Sequence, residues 1–533
     1  MPRELIVCFS DEAVAKDIKE HSGTVSNIPA AERVVLRKHA VCVFAGLVFP
    51  GKTTAVCLEK VHTGLFLSLL VRDVCETTLS VFLFESIRID EMSADCVLKR
   101  KTHGNTNGTV RIKISGTEAT ETIKGLENKS VHIGRPETIE IRGCLSAFPK
   151  LNTSGETVGT VKLTTDDPEQ LRDFTSSAGG FDLLGETTER LVLEKYAVNI
   201  LQSLQLKKEA AIHSLELSAD SKEHVEEILS GKHKKIYVGY VRRIELTGYS
   251  LNILSVLETN GQNCVDEMTL SAHKKEEVEE ILDAGDRTLF FGGIKHINMK
   301  GYGIGCLPKI KIPKNNTLSV LSLQAWSEEE TEEITKHRVD VGCVENIFLN
   351  RHGVSVLPFL DIERGNTLCE LKMNATDQSQ VLGIIGCPKE SILMGKVKKI
   401  SLSGYAANVL PKLKTEPGNK IDRMALYTDT RDQTSEINNS NNEGVFAGDV
   451  GVLELKNCDM DLLKLKLSNS RKIKSILIWC EEKNKEKIAD GLWESDDCRE
   501  KTTWMGSLKT KEDRRTNIMF VFSYYDGEEM IKL

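Results

Sequence analysis

Aliphatic residues recur along this chain at positions 1, 4 and 6 of a short motif. The clearest copies are VRRIELTGYSLNIL from Val241, IKHINMKGYGIGCL from Ile294, VENIFLNRHGVSVL from Val344 and VKKISLSGYAANVL from Val397. Alternation over positions 4 to 6 is the strand period, which sends every second side chain to one face. Weaker copies begin at Ala31, Thr188 and Val450, with further strands around Ile87 to Ile89 and Ile139 to Ile141. The sixth-position residues are Leu36, Ile89, Ile141, Leu193, Leu246, Met299, Leu349, Leu402 and Leu455, at steps of 53, 52, 52, 53, 53, 50, 53 and 53.

Each period holds a second copy: IHSLEL from Ile212, VDEMTL from Val265, LSVLSL from Leu318, LCELKM from Leu368, IDRMAL from Ile421 and IKSILI from Ile473. Leu246 to Leu270 is 24 residues and Leu270 to Met299 is 29, so the elementary unit is a paired repeat of that length. The two halves continue differently. The first runs into an apolar turn, Tyr249 then Leu251, Ile253, Leu254 and Leu257. The second runs into acidic segments, SKEHVEEILSG from Ser221, KKEEVEEILDAG from Lys274 and SEEETEEI from Ser327. Val225, Ile228 and Leu229 have helical spacing, and Ser221 and Ser327 are the expected N-caps.

A core of the form LxxLxL at this period resembles the leucine-rich-repeat family, and the resemblance runs over nearly the whole length. It implies an α/β fold: a leucine-rich-repeat solenoid, or horseshoe, with a parallel concave sheet and short outer helices. One coil cannot bury enough surface to offset its own chain entropy, so coils must stack. The family places Asn or Cys three positions after LxL. Here His39, Tyr196, Tyr249, Tyr302, His352, Tyr405 and Cys458 stand there; all but Cys458 depart from the pattern, so no regular Asn ladder is expected. The expected organisation is an N-terminal half-repeat over 1–30, paired repeats over 31–480 and a C-terminal cap over 481–533, ending in a strand around Ile518 to Tyr524. The polar segment from Arg431, RDQTSEINNSNNEG, reads as a mobile loop replacing a helix. The resemblance implies protein recognition through the concave face or its rim, as in the sensing part of an intracellular immune-type receptor, and no enzymatic activity.

Composition narrows this. Among 533 residues, 40% are hydrophobic and only 5% aromatic, so Leu, Ile and Val must fill the core. A net charge of −8 argues against bulk nucleic-acid binding. The first residues lack a basic region followed by a long apolar run, so no leader is expected, and no apolar stretch is long enough to span a bilayer. The 14 cysteines form no CxxC pair. Scattered thiols without a leader fit the cytoplasm or nucleus, the competing reading being an extracellular fragment.

Candidate chemistry is sparse. Gly46 to Thr53 fits the phosphate-loop pattern GxxxxGK[ST], which would put Gly51, Lys52 and Thr53 on a nucleotide; this P-loop reading is the alternative to recognition. The repeat register explains the same glycines as a turn, because Gly51 falls on Gly261 and Phe49-Pro50-Gly51-Lys52 parallels Glu416-Pro417-Gly418-Asn419. Dispersed histidines give no zinc spacing, so neither a metal nor a cofactor is expected. The Glu runs read as solvated helix faces, and Cys8, Cys57 and Cys369 as strand or core residues. Arg242, Arg243, Lys295, Lys398 and Lys399 occupy positions 2 and 3 of first-half strands, with Arg190 and Lys300 in comparable exposed slots. Stacking would align them as a basic stripe broken at Glu345, fit for an acidic protein partner. The competing reading is charge pairing with Glu216, Asp266 and Glu267 on the interleaved strands. Glu216, Asp266 and Trp326 mark the ridge to consider next.

Overall fold

The computed structural model describes residues 4–9, 33–38, 55–59, 86–90, 109–113, 131–134, 137–143, 145–153, 157–177, 187–203, 211–231, 235–439, 449–456, 473–481 and 517–523. They belong to an α/β chain built on parallel strands, which divides into two units, Met1–Asn263 and Cys264–Leu533.

In the first unit the main-sheet strands follow one another in chain order. They are β1 (Glu4–Phe9), β2 (Arg33–Lys38), β3 (Ala55–Glu59), β4 (Ser86–Asp90), β5 (Thr109–Lys113), β6 (Thr138–Arg142), β7 (Thr157–Thr165), β8 (Thr187–Lys195), β9 (Ala211–Ala219) and β10 (Tyr240–Gly248). Each pairs in parallel with the next. The second unit repeats the scheme with β11 (Cys264–Ala272), β12 (Gly293–Gly301), β13 (Val320–Ala325), β14 (Asn346–Arg351), β15 (Thr367–Ala375), β16 (Ile392–Gly404), β17 (Lys420–Tyr427), β18 (Asp449–Lys456) and β19 (Ile473–Glu481). These too pair in parallel, in order. A last strand, β20 (Asn517–Ser523), closes the row antiparallel to β19, where the cap strand was expected.

The register follows the hydrophobic pattern. Position 6 of each strand lies opposite position 6 of its neighbour, as Leu270 opposite Met299 and Leu371 opposite Ile400 at position 4 illustrate. Positions 1, 4 and 6 of β11, β12, β15, β16 and β17 are at most 4% exposed. First-half strands run into 3-10 helices such as Tyr249–Ser255, Tyr302–Lys309, His352–Phe359 and Tyr405–Lys412. Their aliphatic residues pack beneath the sheet; Leu251, Ile253 and Leu254 are fully buried. Second-half strands run into shorter helical turns, such as Lys275–Glu277 followed by Glu279–Leu282.

Three expectations change. Ser221 precedes the turn Lys222–His224 but makes no capping hydrogen bond, and the turn Glu329–Thr331 starts from Glu328 rather than Ser327. Just beyond the strand, a backbone N–H is instead met by the side chain four residues further on. The N–H groups of His273 and Trp326 donate to buried Glu277 and Glu330, and those of Thr376 and Asp429 donate to Gln380 and Gln433. The acidic runs are therefore not wholly solvated faces. Finally, Arg431–Thr434 and Ser435–Asn439 are helical, anchored where the Glu436 N–H donates to Asn408 Oδ1 at 3.0 Å; the rest of that polar segment lies outside the described residues.

An asparagine ladder exists, in a different slot from the one the resemblance implied. Asn263, Asn316, Asn366 and Asn419 stand two residues before position 1 of the second-half motif. Each carboxamide makes a two-point bond to one earlier residue. The N–H groups of Val241, Ile294, Val344 and Val397 donate to Oδ1 at 3.2, 2.9, 3.2 and 3.2 Å. Nδ2 donates back to the same four carbonyls at 3.0, 2.7, 2.9 and 3.2 Å. The side chain thus stands in for strand backbone just before the strand begins, satisfying groups that burial would otherwise strand.

Candidate functional site

Positions 3, 5 and 7 point away from the packed aliphatic layer, so they form the outward face of each sheet. Over β7 to β9 of the first unit, the described charges on this face are taken up in ion pairs. Arg190 grips Glu216 through two bonds, Nε to Oε1 at 2.5 Å and Nη2 to Oε2 at 2.6 Å. Lys162 and Thr164 both reach Glu194, at 2.6 and 2.9 Å, and Lys195 pairs with Asp166. Burial pushes the Glu216 carboxyl up, but the bonds from Arg190 and Ser214 outweigh it and hold the group below its usual range.

The second unit is different over β11 to β16. Position 5 carries Thr269, Asn298, Ser322, Phe348, Lys372 and Ser401; position 7 carries Ser271, Lys300, Gln324, Asn350, Asn374 and Ser403. Neighbours in each row face one another, as Gln324 faces Asn350 and Asn350 faces Asn374. There is no carboxylate in either row. The side chains of Asn298, Ser322, Gln324, Asn350, Asn374, Ser401 and Ser403 have no hydrogen-bond partner among the described residues. Phe348 is half-buried and Lys372 exposed. Arg351, at the end of β14, adopts φ 56° and ψ −131°, a conformation that glycine takes in the same slot at Gly301 and Gly404.

The basic residues read from sequence divide between the units. Arg242 and Arg243 lie exposed on β10, with Arg243 near Glu216. In the second unit Lys295 is exposed and bonds Asp266 at 2.6 Å, as the charge-pairing alternative requires. Lys398 and Lys399 are exposed on β16, separated from Lys295 by β13, β14 and β15. Lys399 lies between Glu370 and Arg423, and Arg423 pairs with Glu454. Sequence reasoning missed Arg423 because it sits on a second-half strand. It also passed over the neutral row, since Asn, Gln and Ser suggest no chemistry until register places them side by side.

Gly46 to Thr53, with Gly51, Lys52 and Thr53, lies outside the described residues. Cys8 and Cys57 lie on β1 and β3, and Cys369 on β15, where it is exposed rather than core. Cys306 is fully buried, which pushes its thiol up to about 12, far from nucleophilic. Trp326 is 37% exposed, tilted against His273 with ring centroids 6.0 Å apart. Among the described residues no three His, Cys, Asp or Glu side chains converge as a metal site would need, and no helix is long and apolar enough to cross a membrane. Comparison with protein-family models, curated proteins and solved structures returns no match.

Proposed function

We propose that the chain is a recognition protein, a solenoid of the leucine-rich-repeat kind, that binds a protein partner on the outward sheet face of its second unit. One observation carries this: the rows over β11 to β16 hold amides and hydroxyls without partners among the described residues, whereas the described outward charges over β7 to β9 of the first unit are paired. Unpartnered polar groups held in register by strands are pre-organised for contact, because their ordering entropy has been met by folding. Lys398 and Lys399 border this face and extend it toward acidic partners. Arg242 and Arg243 offer a second basic edge on the first unit.

The test compares proteins captured from native cell extract by the wild-type chain, by Ser322→Trp with Ser401→Trp, and by Glu279→Trp on the helical side. Loss of the same captured partner only in the face variant, with unchanged melting, supports the reading. Equal capture by all three overturns it. Lys398→Glu with Lys399→Glu should weaken capture more at low than at high salt.

A further inference from the structure

We infer that the neutral row on the second unit reads the main chain of an extended peptide bearing two acidic residues three or four positions apart. This rests on the recognition reading above and names its ligand. The carboxamides of Gln324, Asn350 and Asn374 sit side by side on adjacent strands, about 4.8 Å apart. A primary carboxamide offers a donor and an acceptor together, which is what one peptide residue requires. The molecule already uses that match internally: Asn366 holds the N–H and carbonyl of Val344 through Oδ1 and Nδ2 at 3.2 and 2.9 Å.

The charges set the ligand's side chains. Lys300 and Lys372 are the charged residues of the two rows over β11 to β16, and neither makes an ion pair among the described residues. Exposed Arg351 adds a third cation beside Asn350. It also holds a left-handed backbone conformation that strains any residue but glycine. A strained cation in a glycine slot, next to unpartnered amides, is the pattern of a residue kept for contact rather than stability. Lys300 on β12 is two strands from Arg351 on β14 and three from Lys372 on β15, about 10 and 14 Å at sheet spacing. An extended chain advances about 3.3 Å per residue, so carboxylates three or four positions apart span those gaps. Phe348 lies between them and suits an apolar residue within the acidic pair.

Fluorescence anisotropy on the full chain tests this. The probes are blocked, fluorescein-labelled decapeptides of Ala, Ser and Leu carrying two Glu three or four positions apart. Controls replace both Glu by Gln, or N-methylate the central amides. The expected result is saturable binding of the Glu peptides, weakened by salt and by both controls. Asn350→Leu with Asn374→Leu should lower affinity about tenfold, as two neutral hydrogen bonds imply. Arg351→Gly should weaken binding while raising the melting temperature, a combination that misfolding cannot produce. Equal binding of Glu and Gln peptides, indifference to N-methylation, or binding of a maltooligosaccharide in their place overturns the inference. Failure of every peptide, with captured partners still lost in the face variant, overturns it while leaving the recognition reading intact. Failure of both removes the recognition reading as well.

Discussion

Replacing Asn366 by Ala isolates the internal asparagine ladder. Asn366 is 6% exposed and Val344 fully buried, so water cannot readily replace the carboxamide. The substitution leaves one N–H and one carbonyl of Val344 without this partner. A buried unsatisfied group costs about 1–3 kcal/mol, which gives a combined loss of about 2–4 kcal/mol after partial relaxation. Asn316 makes the same two bonds to Ile294 but is only partly buried, so Asn316→Ala should cost about half as much. Asn366→Asp keeps the acceptor but sets a carboxylate against the Val344 carbonyl. It should be worse than Ala at neutral pH. The deficit should narrow as pH falls, because protonation restores a donor and the folded state then binds the proton more tightly than the unfolded chain. Long repeat arrays need not unfold in one step, so the apt assay is native-state hydrogen exchange over 339–351 alongside urea melts. Faster exchange confined to that region is expected. If Asn366→Ala shifts stability no more than Asn350→Ala, whose carboxamide is unpartnered, the ladder contributes nothing and the reasoning fails.

Arg351→Gly should stabilise the fold by about 1 kcal/mol, and Gly301→Ala should destabilise it, since an added Cβ would lie 2.0 Å from the Ala272 carbonyl oxygen; thermal melts check both. Glu216→Gln should cost stability above the ordinary carboxylate pKa of 4.5, and the difference should vanish as pH falls through the lower value held in the folded state, as pH-dependent urea midpoints would read. Lys412→Phe should be neutral or stabilising. Lys412 is buried near Glu436 at 3.7 Å, whereas the matching slot holds Phe359; a clear loss of melting temperature would show that the ion pair matters. Lys52→Ala should leave melting unchanged with ATP or GTP present, and a nucleotide-dependent shift in the wild type lost in the variant would promote the phosphate-loop reading.

Most of the layer beneath the sheet was legible because burial leaves a periodic signature. Val241, Ile244 and Leu246 could be assigned to one face from spacing alone, and the same spacing fixed the register of β11 against β12. The ladder was not legible for a physical reason. It uses one Asn per period, inside turns where Asn and Gly are already common, so Gly365-Asn366 and Gly418-Asn419 read as turn chemistry. The signal was recurrence, as Asn263, Asn316, Asn366 and Asn419 lie 53, 50 and 53 residues apart. Glu277, Glu330, Gln380 and Gln433 were hidden differently. Charge separates Glu from Gln on a sequence, but as acceptors for a strand-end N–H they are equivalent. Every first-half strand is followed in the sheet by a second-half strand, the interleaving on which the charge-pairing alternative to a basic stripe rests. Lys295 therefore meets Asp266, and Lys399 meets Glu370 and Arg423, before either meets another first-half cation.

The same alternation explains why function can sit on this fold without disturbing it. Positions 1, 4 and 6 carry the packing, and the turn asparagines and strand-end Glu or Gln satisfy the backbone. None of these groups is available to a ligand. Positions 3, 5 and 7 are left to vary, and the two units have used that freedom in opposite ways. The first places Arg190, Glu216, Lys162 and Glu194 so that each charge finds its counterpart on another strand. Partly exposed pairs of this kind contribute little stability, about 0–1 kcal/mol, and they occupy these four charges from within. At positions 5 and 7 of β11 to β16 the second places neutral amides and hydroxyls around Lys300 and Lys372, its acids Glu267 and Glu370 standing at position 3. A surface whose donors and acceptors are fixed in position, uncompensated from within and bordered by cations has its unmet valence turned outward. On the proposed reading, that asymmetry, rather than the net charge of the chain, sets which partner the second unit accepts.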